Sequence, residues 1–283
     1  MQELKKLSDR FYYLTPVEET DRPILGAVVG DNLTLLIDAG NSEAHVRLFL
    51  DELTRSGVPA PSLAVLTHWH WDHVFGASAL NRTPVISTEA TKTELKRLSS
   101  YTWDDEALDL RVDSGEEILF CAEAIKKEFQ MERSIRIHMP EITFNDELVL
   151  DLGGITCRLV HAGGDHAPDH LIVHLEEEDI LFAGDITAPN LYASSWHYTS
   201  EGTKQLVEKL KPFSSSQNII SHWKPLSKEM FTEELELLEK TALLSSQAEN
   251  EADLKQLLMN EYGKPLFEEE ELAAHYFMNG KQL

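Results

Sequence analysis

His68, His70, Asp72 and His73 fall within six residues, in the run His68-Trp-His70-Trp-Asp72-His73. Neutral imidazoles and carboxylates are the donors that divalent Zn, Mn and Fe accept. The run follows Leu63-Ala-Val-Leu-Thr67, an apolar stretch that reads as a buried strand. In an extended segment His68 and His70 project to the same side, whereas Asp72 and His73 enter the following turn and face a second point close by. That spacing suits two metal ions better than one. Chance alone produces H-x-H-x-D-H in a chain with these His and Asp frequencies about once in a thousand, so a histidine-rich loop with ordinary hydrogen bonds is the weaker reading.

The elements that must hold such a cluster follow an α/β pattern. Residues 24–29 and 33–37 are β-rich and flank Gly30-Asp31-Asn32, which predicts a hairpin. Ser42 can cap the next segment, where Val46, Phe49, Leu50 and Leu53 recur at helical spacing before Gly57. A short helical piece and a strand at 84–87 follow the histidine run. Residues 99–140 are charged and helical in pattern and read as an insertion beside the active site. Strands return at 147–152, 155–161, 171–175 and 180–183, with Gly153-Gly154 as a turn, then a helix near 203–210 and a strand at 218–221. Beyond Pro225 the pattern is helical, including 230–244, with Glu268 to Glu271 as a solvated helix start. The expected organisation is a catalytic domain over 1–225 and a helical C-terminal extension over 226–283.

The histidine run and the landmarks after it resemble the metallo-β-lactamase superfamily over roughly residues 25–224. In order, these are Gly164-Asp165-His166-Ala167-Pro168, the strand end Leu181-Phe-Ala-Gly184-Asp185, and Ile219-Ile-Ser-His222. Asp165 is a minor departure from the family pattern. The lactamases proper often carry Cys where Asp185 stands, so antibiotic hydrolysis is not the leading expectation. The resemblance implies an αββα sandwich with the site at one edge. It also implies two divalent metal ions, Zn first and Mn or Fe as alternatives: His68, His70 and His166 on the first, Asp72, His73 and His222 on the second, and Asp185 between them. Asp38, in the turn Ile37-Asp-Ala-Gly40, matches a position that braces the site, and His170 resembles a histidine that orients a ligand carboxylate.

Composition narrows the partners. Lys plus Arg number 25 against 49 Asp plus Glu, a net charge of −24. Such a surface repels polyanions and disfavours nucleic acid. Cys121 and Cys157 are too few for a disulfide framework and fit a reducing cytoplasm. Neither a signal peptide nor a membrane span is expected from the apolar patterning.

The expected activity is therefore hydrolysis of a small ester, lactone, thioester or phosphodiester by a hydroxide between two metal ions, with Asp72 guiding that hydroxide and its proton. An alternative is a mononuclear iron sulfur dioxygenase of the same fold, using His68, His166 and Asp185; a non-catalytic binding protein is the third reading. Tyr192 and His197, in the loop after Asp185, are candidates for substrate contact, with Trp69, Trp71 and Lys224 as further candidates. His161 and His174 read as structural strand residues. The C-terminal helices are compatible with a homodimer.

Overall fold

The computed structural model describes residues 2–80, 82–130, 133–213 and 215–282. An antiparallel meander comes first: β1 (Leu4–Lys6), β2 (Phe11–Leu14), β3 (Leu25–Val29) and β4 (Thr34–Ile37). The predicted hairpin is β3 with β4. The hairpin before it has no apolar alternation to announce it, because β1 is only three residues long and mostly exposed. Helix α1 (Glu43–Arg55) starts at Ser42, whose side chain accepts from the His45 amide, and it buries Val46, Phe49 and Leu53.

Next come β5 (Leu63–Val65), the single-turn α2 (Trp71–Val74), β6 (Val85–Thr88), α3 (Glu89–Leu98), α4 (Asp105–Ser114), α5 (Leu119–Phe129) and β7 (Ile142–Phe144). Strands β1 to β7 form one seven-stranded sheet in chain order, parallel from β4 onward. The second sheet holds six strands: β8 (Glu147–Asp151), β9 (Thr156–His161), β10 (Leu171–Leu175), β11 (Ile180–Gly184), β12 (Gln217–Ile220) and β13 (Pro225–Ser227). Helix α6 (Ser200–Leu210) connects β11 to β12, which pair in parallel; α7 (Lys228–Ser245), α8 (Glu251–Tyr262) and α9 (Glu268–Gly280) close the chain.

The layers are α, β, β, α. Phe11, Val28, Leu35 and Val65 of the first sheet meet Leu159, Val173, Phe182 and Ile219 of the second. The outer face of the first sheet is covered by α1 and α3 to α5, that of the second by α6 and α7. Strands covered on both faces read as continuous apolar runs, which is why β3 and β11 are legible in the sequence. The Gly153-Gly154 turn, with φ of 87° and 70°, lies against the β3–β4 turn: the Asp31 amide donates to the Gly153 carbonyl at 2.8 Å. These contacts close the sandwich at one end.

Pro225–Ser227 is an edge strand antiparallel to β12 rather than the start of a helical tail; proline, which has no N–H, is tolerated there because an edge strand pairs on one side only and can lack that donor. Ser227 then caps α7. The last three helices share a core around Leu238, Leu254 and Phe277, and α9 holds the loop after β11, with Tyr276 accepting from the Tyr198 amide at 3.2 Å. Among the described residues no helix is long and apolar enough to cross a membrane.

Candidate metal centre

Asp38, His68, Asp185 and His222 lie just beyond the carboxyl ends of β4, β5, β11 and β12, the edge at which α/β sheets present ligand groups. Strand β5 delivers His68 and His70, and the first turn of α2 carries Asp72 and His73 on into the site. His166 comes from the loop between β9 and β10.

Two donor groups result. One atom from each of His68, His70 and His166 lies within 4.8 Å of the others, and the same holds for Asp72, His73, Asp185 and His222. Asp185 Oδ2 is where they meet. It stands 2.9 Å from His73 Nε2 and 3.3 Å from His222 Nε2, and 3.9 Å and 3.8 Å from Nε2 of His68 and His166. Asp72 Oδ2 is 3.0 Å from His73 Nε2 and 3.1 Å from His222 Nε2, without hydrogen-bond alignment.

The donor chemistry fits divalent cations. Nε2 of His68, His70 and His166 and Oδ2 of Asp72 are buried and take no hydrogen bond from the protein, a costly state for polar atoms that lack a partner. Burial, reinforced by neighbouring imidazoles, pushes His68 and His70 well below the usual histidine range, and burial also lowers His166. All three are therefore neutral and offer lone pairs. Desolvation opposes charge on the buried His73 and, less fully, on His222, whose side chain is 36% exposed, but the facing carboxylates of Asp72 and Asp185 outweigh it and raise both imidazoles. Positive charge is what this carboxylate cluster favours, and a divalent cation supplies it.

The bracing is specific. Asp38 is wholly buried and accepts from the Thr67 amide at 2.8 Å, the Thr67 hydroxyl at 2.9 Å and His73 Nδ1 at 2.7 Å. With Nδ1–H spent on Asp38, Nε2 of His73 is the atom turned to the site. His166 is set the same way, Nδ1 donating to the Pro189 carbonyl at 3.1 Å. His170 departs from the reading that it bonds a ligand carboxylate. Its Nε2 instead accepts from the backbone amide of Asp185 at 3.2 Å, while its ring stacks 4.6 Å from that of His68. Gly184, at a φ of +66°, turns that amide toward His170 and leaves the carboxylate to the donor groups. A Cβ on Gly184 would meet His170 Nε2 at 2.8 Å. Gly184→Ala is therefore expected to destabilise the chain by about 1–3 kcal/mol and to lower bound metal, read from the denaturation midpoint and elemental analysis; unchanged values for both would exclude this role.

Of the residues read as substrate contacts, Tyr192 alone lines the cavity that opens onto the donors; burial pushes its phenol well above the ordinary value, so it stays protonated and able to donate. Trp71 is 2% exposed and packs edge-on against Phe75 in the core. Trp69 sits behind the wall, between the Tyr192 ring and the Arg97 guanidinium. His197 closes its own loop, Nδ1 to the Ser195 carbonyl and backbone to Asn190. Lys224 points to solvent, outside the cavity. In each case the side chain's face is set by tertiary packing, which spacing within a loop does not reveal. His161 is structural, Nε2 donating to the Pro168 carbonyl at 2.8 Å.

Two acidic cavity residues escaped the sequence reading. Asp21, at a positive φ in the turn before β3, lies 3.5 Å from His222 Nδ1. Burial and repulsion from Asp72 push its carboxyl up to about 7. Its neighbour Arg22 pairs with Glu128 of α5 at 2.6 Å, so the insertion holds this turn in place. Glu234 enters from α7. Asp21 has no local signature, whereas Glu234 does: it occupies a slot on the apolar stripe of Phe231, Leu235 and Leu238.

A family model described as the metallo-beta-lactamase superfamily matches residues 25–212. The chain is 24% identical over 192 residues to a metallo-beta-lactamase type 2 of Bacteroides fragilis, covering 66% of this chain and 63% of that protein. It is 28% identical over 193 residues to an acyl-coenzyme A thioesterase of Gallus gallus, covering 64% and 61%. It thus spans less than two thirds of either relative's length. Among solved structures, a metallo-beta-lactamase from Pontibacter korlensis superposes with a TM-score of 0.56 at 18% identity, over 83% of this chain and 97% of that one. A variant of the sec-alkyl sulfatase PisA1 gives 0.63 at 15% identity, over 92% and 43%. At these identities the superpositions speak for the fold.

Proposed function

The chain belongs to the metallo-beta-lactamase superfamily, and from that premise we propose that it is a binuclear hydrolase of small acyl substrates: esters, lactones or thioesters. The observation that carries this reading is the meeting of two donor groups at Asp185 Oδ2, at the head of a cavity of about 490 Å³. His68, His70 and His166 would hold one divalent ion, Asp72, His73 and His222 the other, with Asp185 shared. Zinc suits this nitrogen and carboxylate set, and manganese or iron are alternatives. Such a pair of ions supplies hydroxide at neutral pH and polarises the oxygen of the scissile group.

The chain's own residues do the rest. Asp72 Oδ2, buried and free of aligned hydrogen bonds, accepts the proton of the attacking water and orients it. Asp38 fixes the His73 ring, and His170 fixes the Asp185 backbone. No Lys or Arg lines the cavity among the described residues, which favours acyl substrates over a phosphodiester. The thioesterase among the relatives points the same way. The two buried free thiols suit the cytoplasm.

Elemental analysis with an ester, lactone, thioester and phosphodiester panel tests the reading. Near two divalent ions per chain are expected, with acyl turnover that a chelator removes and added metal restores. One iron per chain, with oxygen uptake on a thiol or persulfide and no hydrolysis, would replace it with the dioxygenase.

A further inference from the structure

Away from the donor groups the cavity walls are apolar and aromatic. Ile118 and Phe120 come from the insertion, Leu191, Tyr192 and Trp196 from the loop after β11, and Ile220 from the end of β12. One carboxylate interrupts them. Glu234 lines the cavity, as do Trp196 and Tyr198, and its charge bears on the Tyr198 phenol. Burial pushes its carboxyl up, the Thr187 side chain acting against that rise, and no Lys or Arg lines the cavity among the described residues. A partly buried carboxylate with no cation lining its cavity is costly, and a positively charged ligand would offset that cost.

Trp196 and Tyr198 are held in place. The Tyr198 hydroxyl donates to the Thr187 carbonyl at 2.8 Å, and its ring stacks on Phe277 of α9 at 5.0 Å. Asn279 of α9 donates to the Trp196 carbonyl at 2.9 Å. The C-terminal helices thus supply the acid from α7, and α9 packs on the Tyr198 ring and holds the Trp196 backbone. Aromatic faces with a nearby carboxylate form a surface that attracts a quaternary or protonated nitrogen.

We propose that Glu234, Trp196 and Tyr198 form a subsite for a positively charged nitrogen carried on an apolar body. Resting on the hydrolytic reading, this makes the substrate class a cationic or amine-bearing ester or thioester, and makes anionic substrates poor ones.

Phenyltrimethylammonium and tert-butylbenzene have the same shape and differ in charge. Neither contains a bond to hydrolyse, so failure of the hydrolytic reading leaves this measurement intact. Titrated against the full chain loaded with zinc and followed by tryptophan fluorescence, the ammonium ion should bind about tenfold tighter than the hydrocarbon. Glu234→Gln should bring that ratio to within about threefold without changing the affinity for tert-butylbenzene, which doubles as the check that the variant is folded. Should that variant not fold, Trp196→Ala at the cavity mouth, where Trp196 is 40% exposed, should reduce the ratio in the same direction. A wild-type ratio near one, no binding of the ammonium ion, or an undiminished ratio in the folded variant overturns the proposal.

Discussion

Replacing Asp72 with asparagine is expected to lower kcat by about 10²- to 10⁴-fold while leaving most of the metal bound. Asparagine keeps the shape and one carbonyl oxygen but cannot accept a proton. Asp72 sits at the first turn of α2, 4% exposed, with its Oδ2 close to both His73 and His222. Losing it removes one donor from a group that retains His73, Asp185 and His222. Steady-state kinetics paired with elemental analysis on the same preparation separates the two roles. Should metal content and turnover fall in step, Asp72 is a ligand and nothing more.

Asp38→Ala is expected to cost about 3–5 kcal/mol of folding stability and to weaken metal binding by about 10- to 100-fold. The carboxylate is fully buried and satisfies the Thr67 amide, the Thr67 hydroxyl and His73 Nδ1. Truncation strands all three donors and frees the His73 ring to rotate. The backbone adds to the loss, because Asp38 has a φ of 64°, a conformation Asp and Asn adopt more readily than Ala. Asp38→Asn should therefore lie between wild type and Asp38→Ala. Denaturant midpoints at constant slope, with metal titrations of the apo chain, measure both effects. An Asp38→Ala midpoint equal to the wild type would show that the bracing carries no energy.

Helices α5, α7 and α9 all act on the cavity. Helix α5 anchors the Asp21 turn through the Arg22–Glu128 pair. Helix α7 brings Glu234, and α9 secures Trp196 and Tyr198. The donor groups themselves come from the sandwich.

By itself the sequence determined the donor types, their order along the chain and most of the elements that carry them. It could do so because the constraint is local. His68, His70, Asp72 and His73 lie within six residues just past β5, the first two in a bend beyond the strand end and the last two in α2, and Asp185 and His222 each follow a recognisable apolar strand. The fold class was legible for the same reason, as runs buried on both faces and a hairpin marked by Gly153-Gly154. Tertiary structure alone decided that His68, His73, His166 and His222, from three separate segments, converge on one oxygen of Asp185. It also decided that His170 serves a backbone amide, that Trp71 belongs to the core, and that Asp21 and Glu234 reach the cavity. Spacing along a chain sets directions only within one segment. Which groups meet across segments depends on how two sheets and their helices pack, and that is a sum of many nonlocal contacts that no short motif records.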